Sequence, residues 1–174
     1  RRVLGVLAVA LPIVLAVWGF VLCECIEFQD SISDYYSLRT RDAFVGILFV
    51  IALFLFAYRG YNLWDNIAGY LACLFALGVA FFPNSGEDWE ATVHFLSAAA
   101  LFLVLSYFSL GLFTKSTKPR DSWTPQKRVR NRIYVASGLI ILACLALTGL
   151  YYLLLEDTAV SDIKPVFWLE SLMI

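Results

Sequence analysis

Apolar runs separated by short polar stretches make up most of the chain. They cover residues 3–23, 43–58, 67–82, 92–113, 133–155 and 166–174. The first five approach or exceed the roughly 20 residues with which an α-helix crosses a hydrocarbon core, whereas the sixth is too short to span. The pattern predicts an all-α fold, with one transmembrane helical domain over residues 1–174 that holds five full spans and the start of a sixth.

The composition favours a membrane protein over a soluble one. Hydrophobic residues make up 61% of the chain and charged residues 16%, and the mean hydropathy is +0.77. A soluble domain is nearer half apolar and a quarter charged. The four cysteines form no CxxC pair, and the sequence has neither a glycine-rich phosphate loop nor a basic domain. We therefore predict no metal, no cofactor and no nucleic-acid partner.

Basic residues concentrate at alternate connections between the predicted spans. One set of connections holds Arg1, Arg2, Arg59, Lys115, Lys118, Arg120, Lys127, Arg128, Arg130 and Arg132. The other set holds only Arg39, Arg41 and Lys164, together with most of the acidic residues. Lys and Arg are enriched on the cytoplasmic side of membrane proteins. We therefore predict a cytoplasmic N-terminus and a multi-pass protein of the cell membrane, in a bacterium the inner membrane.

Small residues recur at every fourth position of the third span, at Ala68, Ala72, Ala76 and Ala80. Small side chains at this spacing lie on one helix face and let helix backbones approach closely in lipid. We therefore expect the third span to be packed at the centre of the bundle.

The passage SISDYYSLRTRDAFVGILFVIALFLFAYRGY, residues 31–61, contains the pattern S-x-S-x-Y-Y…R-D-x-F-V-G. With it, and with the later segments RNRIYVASG and KPVFWLESLMI, the chain resembles a group of bacterial polytopic membrane proteins over most of its length. The resemblance implies a helical membrane architecture in which the segment from Pro165 continues as a full sixth helix, and it implies no particular activity.

A more distant similarity is to the superfamily of membrane hydrolases that includes alkaline ceramidases. Those enzymes bind zinc through three histidines, with an aspartate and a serine nearby. This chain has a single histidine, His94, and catalytic zinc needs about three protein ligands. The similarity therefore does not change the prediction that the chain holds no metal.

Ionisable residues inside or at the ends of the apolar runs are the first candidates for function, because charge is costly in hydrocarbon. Arg41 and Asp42 begin the second run, His94 lies about one turn into the fourth, and Glu170 lies within the sixth. All four belong to the predicted outer side of the membrane. A lone carboxylate such as Glu170 needs a partner there, and Arg41 and His94 are the predicted partners.

Three further residues complete the predicted site. Ser97 shares a helix face with His94, and Asp34 and Tyr35 belong to the outer loop between the first two runs. We predict that residues 31–36 of this loop fold over the charged residues. The candidate outer-leaflet site is therefore Asp34, Tyr35, Arg41, Asp42, His94, Ser97 and Glu170.

The same residues also have purely structural interpretations. Thr40 would cap the second helix, with Asp42 favourable in its first turn, and His94 would hydrogen-bond a neighbouring helix. Ser97, His94 and Asp42 can be written as a Ser/His/Asp set, but such a set is recognised by geometry.

Three classes of function remain open from the sequence. The one we prefer is a lipid- or partner-binding helical bundle with a polar outer-leaflet pocket, whose partners would be membrane lipids, another membrane protein or a second copy of the chain. The second is a membrane-embedded lipid hydrolase that uses His94. The third is a transporter or channel subunit in which Glu170, His94 and Asp42 form a relay. Whether the protein is an enzyme is not decided at this level.

Overall fold

The computed structural model describes residues 2–22, 28–116, 119, 123–154 and 163–174. Within these ranges the chain is helical and has no strand, as predicted. The helices are α1 (Arg2–Leu22), α2 (Arg41–Phe56), α3 (Leu63–Phe81), α4 (Asp88–Tyr107), α5 (Pro125–Leu154) and α6 (Pro165–Met173). Cys23 and Leu155, the predicted ends of the first and fifth spans, lie outside the described residues.

Within the described residues, three segments are long and apolar enough to cross a membrane by length and composition. They are Leu63–Phe81, Asp88–Leu112 and Pro125–Leu154. The second of these consists of α4 and the π-helical turn Phe108–Leu112 that continues it. In α1 the stretch Gly5–Val21 is apolar but shorter.

Helices α3, α4 and α5 begin at least four residues earlier than the apolar pattern predicts. Helix α3 begins at Leu63 because Asn62 caps it, with Asn62 Oδ1 accepting a hydrogen bond of 2.9 Å from the Asp65 amide. Helix α5 begins at Pro125, since proline is favoured in the first helical turn. The predicted connection between the runs 92–113 and 133–155 is therefore shorter than expected, because residues 125–132 form the first turns of α5.

Helix α3 packs at the centre of the bundle, between α2 and α4. Ala72, Ala76 and Ala80 are completely buried, and Ala68 is 8% exposed. Ala68, Ala72 and Ala76 belong to a core cluster with Leu55 of α2 and Leu101 of α4. Ala80 belongs to a second cluster, which includes Leu48 of α2. The alanine spacing thus predicted this packing correctly.

An ion pair with a buried carboxylate fixes the N-terminal end of α3. Asp65 is completely buried, and its Oδ1 pairs with Lys115 Nζ while its Oδ2 accepts from the Tyr61 amide at 2.9 Å. A β-carbon on Gly60 would lie 2.0 Å from Asp65 Cβ, so the chain can turn here only with glycine. The hydrogen bond to Asp65 raises the pKa of Lys115, because it favours the charged ammonium group.

Candidate functional site

Residues 28–40, between α1 and α2, fold over one end of the bundle, and we call them the capping connection. Its 3₁₀ turn, Ser33–Ser37, holds Tyr35, which is 2% exposed. A β-carbon on Gly19 of α1 would lie 2.8 Å from Tyr35 Cε1, so glycine lets the ring lie against that helix. On its other side the ring contacts Phe167 of α6, with 6.3 Å between centroids. The turn is therefore wedged between α1 and α6.

His94 of α4 lies directly beneath this turn and is completely buried. Its Nδ1 is 2.7 Å from the Phe82 carbonyl oxygen, and its Nε2 is 2.9 Å from Ser33 Oγ. A carbonyl can only accept, so Nδ1 carries the proton in the neutral ring and Nε2 accepts from the Ser33 hydroxyl. The backbone at the end of α3 thereby fixes the tautomer of His94 and turns its basic nitrogen toward Ser33.

Glu170 of α6 binds the residue next to Ser33. Its Oε2 accepts a hydrogen bond of 2.6 Å from the Ile32 amide, across 138 positions of sequence. Two further contacts join α6 to the capping connection: the Phe167 amide donates to the Asp30 carbonyl at 3.0 Å, and Lys164 forms an ion pair with Asp30. The partner of Glu170 is therefore a backbone amide, and the predicted pairing with Arg41 or His94 was wrong.

Asp34 holds the capping connection together and joins it to the turn between α3 and α4. Its Oδ2 accepts from the Ser31 amide at 2.8 Å, and its own amide donates to Ser31 Oγ at 3.2 Å. The other carboxylate oxygen accepts from Asn84 Nδ2 at 2.5 Å. A second link to the same turn joins Ser37 Oγ and Ser85 Oγ at 2.6 Å.

Arg41 and Asp42 lie at the rim of the site, and both are exposed. The Arg41 guanidinium donates to the Tyr36 hydroxyl at 3.0 Å and lies 4.7 Å from the centre of that ring. Tyr36 in turn donates to the Phe81 carbonyl at 3.2 Å. Thr40 is the N-cap residue of α2, with Asp42 in the first turn, as predicted. The Thr40 hydroxyl makes no cap hydrogen bond, however, and donates to the Tyr35 carbonyl at 2.8 Å.

Ser97 belongs to a different contact. It faces Gly78 of α3, where an added β-carbon would lie 2.3 Å from Ser97 Oγ and 2.8 Å from its Cβ. Ser97 therefore packs α4 closely against α3, while the serine that bonds His94 is Ser33. The Ser97, His94 and Asp42 set is consequently not assembled.

The structure thus brings together part of the predicted site. Asp34, Tyr35, His94 and Glu170 all belong to or contact the capping connection, and Arg41 supports its rim. Asp42 is exposed at the same rim, and Ser97 packs against α3 instead. The predicted lid, residues 31–36, included Ser31 and Ser33 but did not assign their hydrogen bonds, and Asn84 was not predicted at all. The order Ser31-Ile32-Ser33-Asp34 is typical of turns in which short polar side chains bond nearby amides.

A cavity of about 540 Å³ extends from this polar cluster into the bundle. All six helices contribute to its wall, which is mostly apolar. Ser33 and Glu170 line one end, and Tyr58 and Phe113, near the other end of the bundle, line the opposite part. Its volume is within the range of small-molecule pockets.

No family model, curated protein or solved structure matches this chain. Among the described residues no group of three or more His, Cys, Asp or Glu side chains is arranged to hold a metal ion. The cavity and the polar cluster at its end are therefore the features of this molecule that bear on function.

Proposed function

We propose that the protein binds a membrane lipid, with an acyl chain in the central cavity and the polar part of the lipid at Ser33 and Glu170. The observation that carries this proposal is the apolar cavity of about 540 Å³ that ends at a buried polar cluster. Other contacts with membrane proteins or with a second copy of the chain would use the outer surface of the bundle.

The physical driving force differs from that of a soluble lipid carrier. An acyl chain gains little hydrophobic free energy on moving from the bilayer into the bundle, because lipid tails are as apolar as the cavity wall. An unfilled cavity, however, forfeits dispersion contacts along its whole lining. Filling the cavity therefore favours binding of any long apolar chain, and the polar cluster at Ser33 selects among the groups attached to it.

The proposal places five full spans and the start of a sixth in the membrane, with the N-terminus in the cytoplasm. The distribution of Lys and Arg supports this orientation. The polar cluster then lies in the outer leaflet, where it meets lipid headgroups. The resemblance of residues 31–61 to bacterial polytopic membrane proteins supports a location in the bacterial inner membrane.

The variant Ala98→Trp tests lipid binding directly. Ala98 lies on the cavity wall, so an indole at this position occupies the space that the acyl chain would fill. Packing both the indole and the acyl chain into this space would cost about 1–3 kcal/mol. Each ~1.4 kcal/mol lowers the affinity for lipid tenfold. We expect native mass spectrometry of the purified protein to show a loss of most bound lipid.

Ala143→Trp is the matched control, because Ala143 is exposed on α5 and does not line the cavity. This control should keep the lipid of the wild-type protein. Equal lipid occupancy in Ala98→Trp and wild type would contradict binding in the cavity.

One observation favours lipid hydrolysis as a second candidate function. Ser33 lines the cavity, and its hydroxyl donates to the fixed Nε2 of His94. In such a dyad Ser33 Oγ attacks the ester carbonyl carbon while its proton moves to His94 Nε2 and then to the leaving alcohol oxygen. Water next attacks the carbonyl carbon of the acyl-serine, and the bond from this carbon to Ser33 Oγ breaks, which releases the fatty acid. A proton from the water returns Ser33 to the hydroxyl form. The Phe82 carbonyl takes the orienting place that a carboxylate has in the Ser-His-Asp triad.

Hydrolysis predicts that a fluorophosphonate probe labels Ser33 and that Ser33→Ala lowers turnover of a lipid ester by about a hundredfold or more. Ser137→Ala is the control, because Ser137 lines the same cavity and belongs to α5, away from His94. Wild-type protein that binds lipid but neither reacts with the probe nor releases fatty acid would leave binding as the function and would exclude the dyad.

A further inference from the structure

A second groove lies at the other end of the bundle, between the π-helical turn and the first turns of α5. Its volume is about 820 Å³. It is lined by Leu110, Thr114, Trp123, Arg128, Asn131, Arg132, Val135, Ala136 and Leu139. None of these residues belongs to the polar cluster at Ser33, so the groove is a separate site.

Two arginines give the groove its charge. Arg128 and Arg132 are one helical turn apart, so they lie on the same face of α5, and both side chains are exposed. In the part of the chain that the structure describes, the ion pairs are Asp65–Lys115 and Asp30–Lys164, and neither involves these arginines. Their charge is therefore available to an anion, and guanidinium groups bind phosphate in a bidentate manner.

Asn131, between the two arginines, supplies an independent sign of a ligand. It lines the groove and is only 8% exposed. Its Nδ2 donates to the Thr114 carbonyl at 3.4 Å, but its buried Oδ1 has no hydrogen-bond partner. Leaving a buried acceptor unpaired is costly, so a ligand that carries a hydroxyl or ammonium donor would complete this site.

The groove continues into an apolar surface along α5. Val135 and Leu139 follow Arg128 and Arg132 on the same helix face, and they are 40% and 56% exposed. An anion-binding site above an exposed apolar strip matches a phospholipid, in which a phosphate is followed by acyl chains. Free phosphate would use only the arginines and would leave the apolar strip uncovered.

We propose that this groove binds an anionic glycerophospholipid whose headgroup carries a hydroxyl donor, as phosphatidylglycerol does. The phosphate lies between Arg128 and Arg132, a headgroup hydroxyl donates to Asn131 Oδ1, and an acyl chain covers Val135 and Leu139. This site is on the side that the basic residues assign to the cytoplasm, where anionic lipids attract Lys and Arg near the membrane surface.

Lipid titration of the full chain in detergent, followed by native mass spectrometry, tests this proposal. We expect phosphatidylglycerol to bind more tightly than phosphatidylcholine, and we expect inorganic phosphate not to compete. The double variant Arg128→Gln/Arg132→Gln should lower the affinity for phosphatidylglycerol by about tenfold or more, because each arginine near the phosphate contributes to attraction. Asn131→Ala should reduce the preference for phosphatidylglycerol over phosphatidic acid, which lacks the headgroup glycerol.

Arg130→Gln/Lys127→Gln is the matched control, since it removes the same charge from α5 at residues that do not line the groove. Nonspecific attraction to a basic surface would weaken binding equally in both double variants and would overturn the proposal. Equal binding of phosphatidylcholine and phosphatidylglycerol by the wild-type protein would overturn it as well. Competition by inorganic phosphate would show a site for the free anion instead of a lipid.

Discussion

We expect the variant His94→Leu to lose a large part of its stability. Leucine keeps an apolar side chain in the buried position but can bond neither the Phe82 carbonyl nor the Ser33 hydroxyl. Each buried polar group left without a partner costs about 1–3 kcal/mol, and two groups are affected here. Thermal unfolding in detergent should therefore show a clearly lower free energy of unfolding.

Hydrogen exchange supplies a second measurement for His94→Leu, because loss of the Ser33 bond should increase exchange in the Ser33–Ser37 turn. Phe95→Leu is the control at the neighbouring position, where the ring is 46% exposed, and it should be mild. Unchanged stability and exchange in His94→Leu would contradict a structural role for the two bonds. If such a variant also lost lipid hydrolysis, the histidine would be retained for chemistry alone.

The second large effect is expected for Ala76→Leu. Ala76 is completely buried where α3 packs against its neighbours, so a larger side chain must push helices apart. Overpacking of this kind costs about 1–3 kcal/mol. The free energy of unfolding in detergent should fall by that amount.

Ala146→Leu is the control for this change, because Ala146 is exposed on α5 and the added atoms meet the detergent. It should leave the stability almost unchanged. An equal response from both variants would mean that the alanine face of α3 is not a tight helix interface.

The helices and the central position of α3 were predictable because they depend on local patterns. The length of the apolar runs predicts the helices, and the four-residue spacing of Ala72 and Ala76 predicts which face of α3 is packed. The start of α5 at Pro125 was missed because a basic segment resembles a loop when only hydropathy is considered. The burial of Asp65 was missed for a different reason, because its partner cation, Lys115, is 50 positions away in the sequence.

The site was only partly predictable because its bonds join distant segments. Depth in the membrane placed His94 and Glu170 at the same end of the bundle. It did not indicate that both would bond consecutive residues, Ile32 and Ser33, of one connection. The charge of Glu170 suggested a charged partner, whereas Glu170 accepts a hydrogen bond from a backbone amide. Every residue except proline supplies such an amide. Single-sequence reasoning has no means of choosing among them.

The contact between Glu170 and Ile32 also has a consequence for biosynthesis. The two residues are 138 positions apart, and ribosomes add about 5–20 residues per second. The capping connection is therefore made on the order of ten seconds before the segment that secures it. During this interval α6 does not yet cover the Ser33 end of the nascent bundle, so this end stays open until α6 has been made.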